Sequence, residues 1–222
     1  AARLDLESPL PWLRMGQVLL AQNRFSQAAL AFGEAERSGA GLEALLGRGE
    51  SEAGGGDWAA ALKSWLAAQA LAPDDPRVYL ALGRAATAPA QFDLSAQYLS
   101  TALQLEPAPA ERSAAHALLG RLLIEDNAQQ AAVHLVLAGD NDMLAVLEAA
   151  QAEADPTRQA IVLGTAFLQW EELTLARRHF ERAVLLAPDS ADALAYLAHT
   201  LARLGETVAA GRLLEQARDL DS

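Results

Sequence analysis

The sequence predicts an all-α solenoid, in which short paired helices form copies that stack one upon the next. The first observation behind this fold class is a glycine that returns about every 34 residues in five copies, with alanine in its place in a sixth. The residues at this glycine place are Gly16, Gly47, Gly83, Gly120, Gly164 and Ala198. Periods of this size are typical of repeat proteins, in which each copy packs mainly against its neighbours.

The second observation is a series of small and bulky residues that follows each glycine place at helical spacing. A small residue comes first, at Ala28, Ala61, Ser95, Ala132, Ala176 and Ala210. A bulky residue comes next, at Phe32, Trp65, Leu99, Val136, Phe180 and Leu214. A second small residue follows, at Ala35, Ala68, Ala102, Gly139, Ala183 and Ala217. Three- and four-residue spacing puts these positions on one helix face, where small residues let two helices approach and large ones fill the gap.

The third observation is the placing of turn residues and prolines. Turn residues such as Gly54–Asp57 separate the two predicted helices of a copy, and Pro73, Pro107 and Pro188 follow the second helix. Proline lacks an N–H group and disfavours helix in the residue before it, so it ends each second helix.

This pattern closely resembles the tetratricopeptide repeat, a helix–turn–helix unit of about 34 residues. The best copy is Thr157–Ser190, which has Gly164, Ala176, Phe180 and Pro188 in register. The resemblance implies a right-handed superhelix that forms a single array over the whole chain. The predicted repeats 1 to 6 span residues 9–40, 41–75, 76–109, 113–140, 157–190 and 191–222.

One helix is left over between repeats 4 and 5. Repeat 4 lacks the terminal proline, and residues 141–153 form one further helical stretch with no partner of its own. Asp140 precedes this stretch and is predicted to cap it. We expect the extra helix to change the stacking angle and to interrupt a continuous groove.

Composition argues against several classes of function. A net charge of −12 repels nucleic-acid phosphates and anionic lipid, and no apolar run is long enough to cross a membrane. Cysteine is absent, the histidines lack metal-ligand spacing, and the sequence predicts neither a cofactor nor a metal. His179, which stands among Arg177, Arg178 and Arg182, is predicted to lie on a solvated surface. Trp58 and Trp65 are predicted to lie in the core.

The resemblance implies a ligand-binding concave face, lined by the first helix of each repeat. The residues just after the glycine place are then expected to point into this groove, and they are Gln17, Arg48, Arg84, Arg121, Thr165 and His199. Leu80, Leu118 and Ile124 are expected to lie between the arginines. One interpretation is a row of guanidinium groups that binds carboxylates of a partner peptide. The alternative is that these arginines pair with acids of neighbouring helices, such as Glu50, Glu52 or Glu125.

The sequence therefore predicts a non-enzymatic scaffold that binds a protein or peptide, with an acidic segment as the expected ligand. The predicted site consists of Arg48, Arg84, Arg121, Gln17, Leu80, Ile124 and His199. One alternative is an accessory region of a larger enzyme or of a membrane-anchored assembly factor. Another is a self-assembling scaffold that forms a homo-oligomer through its terminal helices, because apolar residues such as Leu214 and Leu220 would otherwise face water. The compartment is not predicted, and the bias toward alanine and arginine is typical of a GC-rich bacterial genome.

Overall fold

The computed structural model describes residues 8–220, and these residues form thirteen α-helices without a β-strand. The helices are α1 Pro9–Ala21, α2 Phe25–Arg37, α3 Gly41–Gly54, α4 Trp58–Leu71, α5 Pro76–Thr87, α6 Phe92–Gln104, α7 Pro109–Leu123, α8 Ala128–Ala138, α9 Asn141–Ala152, α10 Pro156–Gln169, α11 Leu173–Leu186, α12 Ala191–Arg203 and α13 Thr207–Leu220. The all-α prediction is confirmed, and so is the extra helix, because α9 occupies the predicted stretch and packs against α8 and α10.

The chain divides into two compact units within α7, whereas the sequence predicts a single array. The N-terminal unit extends to Leu119, and the C-terminal unit begins at Gly120. Paired helices pack closely in both, as α1 with α2, α3 with α4 and α5 with α6 in the first, and α10 with α11 and α12 with α13 in the second. Of the predicted site residues, Arg48 and Arg84 belong to the first unit and Arg121 to the second.

Side-chain caps fix where several helices begin. Asp57 accepts a hydrogen bond from the Ala60 N–H at 3.0 Å, and Asp140 accepts one from the Met143 N–H at 3.2 Å. Such caps satisfy backbone donors that have no partner inside the helix. The predicted capping role of Asp140 is therefore confirmed.

The glycine place owes its residue type to close packing within a repeat. A Cβ added at Gly16 would lie 2.9 Å from the Phe32 ring, and one at Gly83 would lie 2.8 Å from Leu99. In repeat 2 the glycine that faces its own second helix is Gly49, against Trp65. Gly47 instead faces Phe32 of the preceding helix, so the predicted register of α3 is wrong by two residues.

Repeat 4 also departs from its predicted register. Gly120 packs against Leu135, which is fully buried together with Ala131, whereas Val136 is 62% exposed. Gly139 ends α8 with a left-handed φ of 73° rather than packing in the helix face. Helix α8 therefore presents its bulky residue one position earlier than the sequence pattern predicts.

Candidate functional site

Helices α1, α3 and α5 line a groove of about 320 Å³ in the N-terminal unit. Leu46, Leu80 and Ala81 lie along its apolar floor, with the Phe32 and Trp65 rings contributed by the second helices. The indole N–H of Trp65 donates a hydrogen bond to the Leu46 carbonyl at 3.3 Å, which fixes the ring beside the floor. The groove is thus a preformed apolar surface between three first helices.

Two ion pairs cross the groove between α3 and α5. Arg77 donates to Glu43 at 2.8 Å, and Arg84 donates to Glu50 at 3.0 Å. In each pair the partners are 34 residues apart, so both pairs join equivalent positions of consecutive repeats. The pairs are separated by two helical turns, or about 10 Å along the axis. We call them the outer rung (Glu43–Arg77) and the inner rung (Glu50–Arg84).

Asp75 reinforces the outer rung and has no counterpart at the inner rung among the lining residues. It accepts hydrogen bonds from Arg77 Nε at 3.0 Å and from Arg77 Nη2 at 2.7 Å, while Nη1 of the same guanidinium binds Glu43. The hydrogen bonds that Arg77 donates to Asp75 lower the pKa of Asp75 and raise the pKa of Arg77. Three carboxylates therefore share two guanidinium groups along this groove.

A second pocket, the end pocket, adjoins the inner rung. Its volume is about 380 Å³, and Glu50 and Arg84 line it as well as the groove. Its apolar walls come from Leu20, Phe25 and Trp58. Trp58 is 37% exposed here, so the prediction that it lies in the core is wrong, although Trp65 is fully buried as expected. Trp58 is the first residue of α4, directly after the turn that follows α3.

Three predicted site residues in the N-terminal unit have different surroundings. Gln17 is exposed and lines the groove, and Leu80 forms part of its floor. Arg48 does not line this groove: it donates to Ser64 of α4 at 3.0 Å and forms an ion pair with Glu36 of α2. The corrected register explains this, since the residue after the glycine place in repeat 2 is Glu50 and not Arg48.

Arg121 is engaged within the C-terminal unit. It donates to Asp140 at 2.7 Å, pairs with Glu172, and lies over the Trp170 ring with 5.6 Å to the centroid. Burial raises the pKa of Glu172, and the charge of Arg121 offsets only part of that effect. Arg121 therefore links the end of α7 to two loops.

The two remaining predicted residues differ in accessibility. Ile124, in the turn after α7, is 5% exposed and packs in the core, so it does not form the expected groove surface. His199 is exposed on α12. Both residues belong to the C-terminal unit.

Sequence reasoning missed a buried charged cluster at His179. This residue is 1% exposed, stacks on Phe167 at 5.2 Å, and has Nδ1 3.1 Å from Glu125 Oε1, so the predicted solvated position is wrong. Arg178 binds the other oxygen of Glu125 at 2.9 Å. Burial alone would raise the pKa of Glu125, but its close contact with His179 and the nearby charges of Arg178 and Arg182 outweigh burial and lower that pKa.

Two further properties concern the part of the chain that the structure describes. Within residues 8–220, His, Asp and Glu form no group of three or more that could hold a metal ion. None of the helices in that range is long and apolar enough to cross a lipid bilayer.

The paired helices and the packing on glycine define an α-helical repeat protein. A family model described as "Tetratricopeptide repeat" matches residues 13–76 and 161–222, which together make up more than half of the chain. The chain therefore belongs to the tetratricopeptide repeat family, and the predicted resemblance is confirmed. Its fold is that of a protein–protein interaction scaffold.

Solved structures show the same fold at low sequence identity. The APC/C hetero-tetramer Cut9–Hcn1 has 19% identity and a TM-score of 0.56, with 96% of this chain and 40% of that chain covered. This chain therefore spans less than half of that protein's length. PilF of Pseudomonas aeruginosa has 16% identity and a TM-score of 0.54, with 96% and 91% covered. The thermophilic protein TTC0263 of Thermus thermophilus has 20% identity and a TM-score of 0.54, with 87% and 99% covered. Among curated proteins, none matches this sequence.

Proposed function

We propose that this chain is a non-catalytic interaction module, and that the groove of its N-terminal unit binds an extended segment of a partner protein. The observation that carries this proposal is the apolar floor at Leu46 and Leu80, which lies between the two rungs. Apolar side chains of a ligand would be buried on this floor, while the rungs would contact its polar groups.

The predicted preference for an acidic segment is one specific form of this proposal. A ligand carboxylate would have to compete with Glu50 for Arg84, because the inner rung already occupies that guanidinium. The Arg84 side chain remains 44% exposed, so a competing group can reach it. Variants that remove the charge of Glu50 or of Arg84, tested separately for peptide binding, therefore determine whether the ligand is acidic or basic.

Selection from a random peptide display library tests the groove. Peptides selected on the immobilised wild-type chain should bind Leu80→Gln about tenfold more weakly, because that change makes the floor polar at nearly constant volume. Glu206→Gln is the matched control, since it removes an exposed ion pair with Arg177 in the C-terminal unit. Equal binding to all three proteins, or no enrichment of peptides on the wild type, would refute the groove as a binding site.

A second candidate is self-association through the terminal helices. Apolar side chains are exposed at both ends of the described chain, including Leu10, Val18 and Leu30 in α1 and α2, and Val208 and Leu214 in α13. In an array such surfaces are covered by the next repeat, so a second copy of this chain would fit them. Light scattering coupled to size exclusion should then show a mass that rises with concentration and falls in Val208→Glu, and a constant monomer mass would refute this candidate.

The accessory-region hypothesis differs from both, because it places the catalytic or membrane-anchoring part in another segment of a longer chain. The complete open reading frame of the gene tests it directly. A frame that encodes no further domain would contradict it.

A further inference from the structure

We infer that the partner segment is basic rather than acidic, with a lysine or arginine between two apolar residues, one of which fills the end pocket. This inference rests on the proposed function, because it specifies the ligand of the same groove.

The charges along the groove favour a cationic ligand. The charged side chains that line the groove and the end pocket are Glu43, Glu50, Arg77 and Arg84, and Asp75 adds a further carboxylate next to Arg77. Carboxylates therefore exceed guanidinium groups at the site, and the whole chain carries a net charge of −12. A field of this sign attracts basic segments and repels acidic ones during encounter.

The outer rung leaves its glutamate more available than its arginine. Arg77 uses all three of its nitrogens on two carboxylates, through Nε and Nη2 to Asp75 and through Nη1 to Glu43. Glu43 accepts from Arg77 through Oε1, and its side chain is 56% exposed. A carboxylate can accept about four hydrogen bonds, so Glu43 retains capacity for a ligand ammonium or guanidinium group.

The end pocket supplies the second anchor. Phe25, Trp58 and Leu20 form apolar walls, while Glu50 stands at the boundary between the end pocket and the groove. The partly exposed Trp58 ring offers a flat surface for an aromatic or aliphatic side chain. A cation next to that anchor would reach Glu50, which pairs with Arg84 but whose side chain remains 42% exposed.

The geometry also sets the spacing within the ligand. Leu46 of the floor and Ala53 of the end pocket are seven residues apart on α3, or about 10 Å along its axis, which corresponds to roughly three residues of extended chain. The floor at Leu80 lies between the rungs, and the end pocket lies beyond the inner one. The two apolar residues are therefore about three positions apart, and the basic residue between them contacts Glu50.

The sequences enriched from the random peptide library test this inference, together with two opposite charge deletions. We expect enriched peptides to carry the apolar–basic–apolar pattern and to bind Glu50→Gln about tenfold more weakly than the wild type. They should bind Arg84→Gln at least as tightly as the wild type, because Glu50 is then released from its partner. Trp58→Ala should weaken binding of these peptides, and Glu206→Gln should not.

The possible results separate the two proposals. Enrichment of acidic peptides that lose affinity in Arg84→Gln and gain it in Glu50→Gln would overturn the basic ligand while leaving the groove as the binding site. Enriched peptides that bind Trp58→Ala as tightly as the wild type would overturn the anchor in the end pocket. Peptides that are insensitive to Leu80→Gln as well would overturn the proposed function itself. Circular dichroism of each variant verifies that it is folded.

Discussion

Gly164 allows the sharpest prediction on stability, because its replacement by alanine has a worked geometric cost. A Cβ at this position would lie 2.6 Å from Phe180 Cε1. Phe180 is fully buried and stacks on Tyr196 at 5.2 Å, so the ring has little room to retreat. Overpacking of a well-packed core typically costs about 1–3 kcal/mol.

Helix propensity acts in the opposite direction and must be removed by a control. Alanine is favoured over glycine inside a helix by about 1 kcal/mol. Gly211 lies inside α13 in the same unit, and a Cβ there would meet nothing within 4 Å. Gly211→Ala should therefore stabilise the chain, whereas Gly164→Ala should be less stable than Gly211→Ala by about 1–3 kcal/mol.

Urea denaturation followed by circular dichroism measures this difference. Repeat arrays can unfold in more than one step, so the comparison should use the transition of the C-terminal unit. If Gly164→Ala were as stable as Gly211→Ala, the close approach of Phe180 would not be the reason for glycine at this place.

Three further predictions concern the ion pairs. Since the pKa of Glu125 is lowered in the folded chain, its contribution to the free energy of unfolding is complete above its ordinary value of 4.5 and is lost as pH falls through the lowered value. Urea titrations should therefore show a steeper loss of stability below about pH 4.5 in the wild type than in Glu125→Gln, and equal slopes would contradict the paired state. Arg121→Gln should lower the free energy of unfolding by about 1–3 kcal/mol, because Asp140 loses a charged partner in a half-buried site, and an unchanged urea midpoint would count against that role. Arg48→Gln should also lower that free energy by about 1–3 kcal/mol, because Glu52 and the buried Ser64 lose a charged partner, but it should leave peptide affinity unchanged in fluorescence polarisation, while a marked loss of affinity would return Arg48 to the groove.

The sequence was sufficient for the fold because the repeat pattern encodes helix packing directly. Each glycine place predicts a close approach, and the Gly16–Phe32 contact has the predicted partner. The predicted register was wrong in α3, where Gly47 and Gly49 could each occupy the glycine place. Only packing decides which of them faces Trp65. A shift of two residues moved Glu50 to the groove in place of Arg48, and it reversed the charge expected there.

Glu50 and Glu52 are predicted from the sequence as alternative partners of the arginines, and the structure pairs Glu50 with Arg84 and Glu52 with Arg48. Opposite charges 34 residues apart, as in Glu50 and Arg84, occupy equivalent places in consecutive repeats and so can meet across the interface. Nothing in the sequence indicated that His179 is buried, because its neighbours Arg177 and Arg178 are typical of a solvent-exposed surface. The turn that covers it follows α7, far away in the sequence, and only tertiary packing brings Glu125 to it.

The inner rung is also an ion pair that connects two consecutive repeats. A ligand whose cation binds Glu50 weakens the ion pair with Arg84. Part of the binding free energy is then spent on loosening the contact between α3 and α5. Ligand binding would thus be coupled to the stiffness of the contact between α3 and α5.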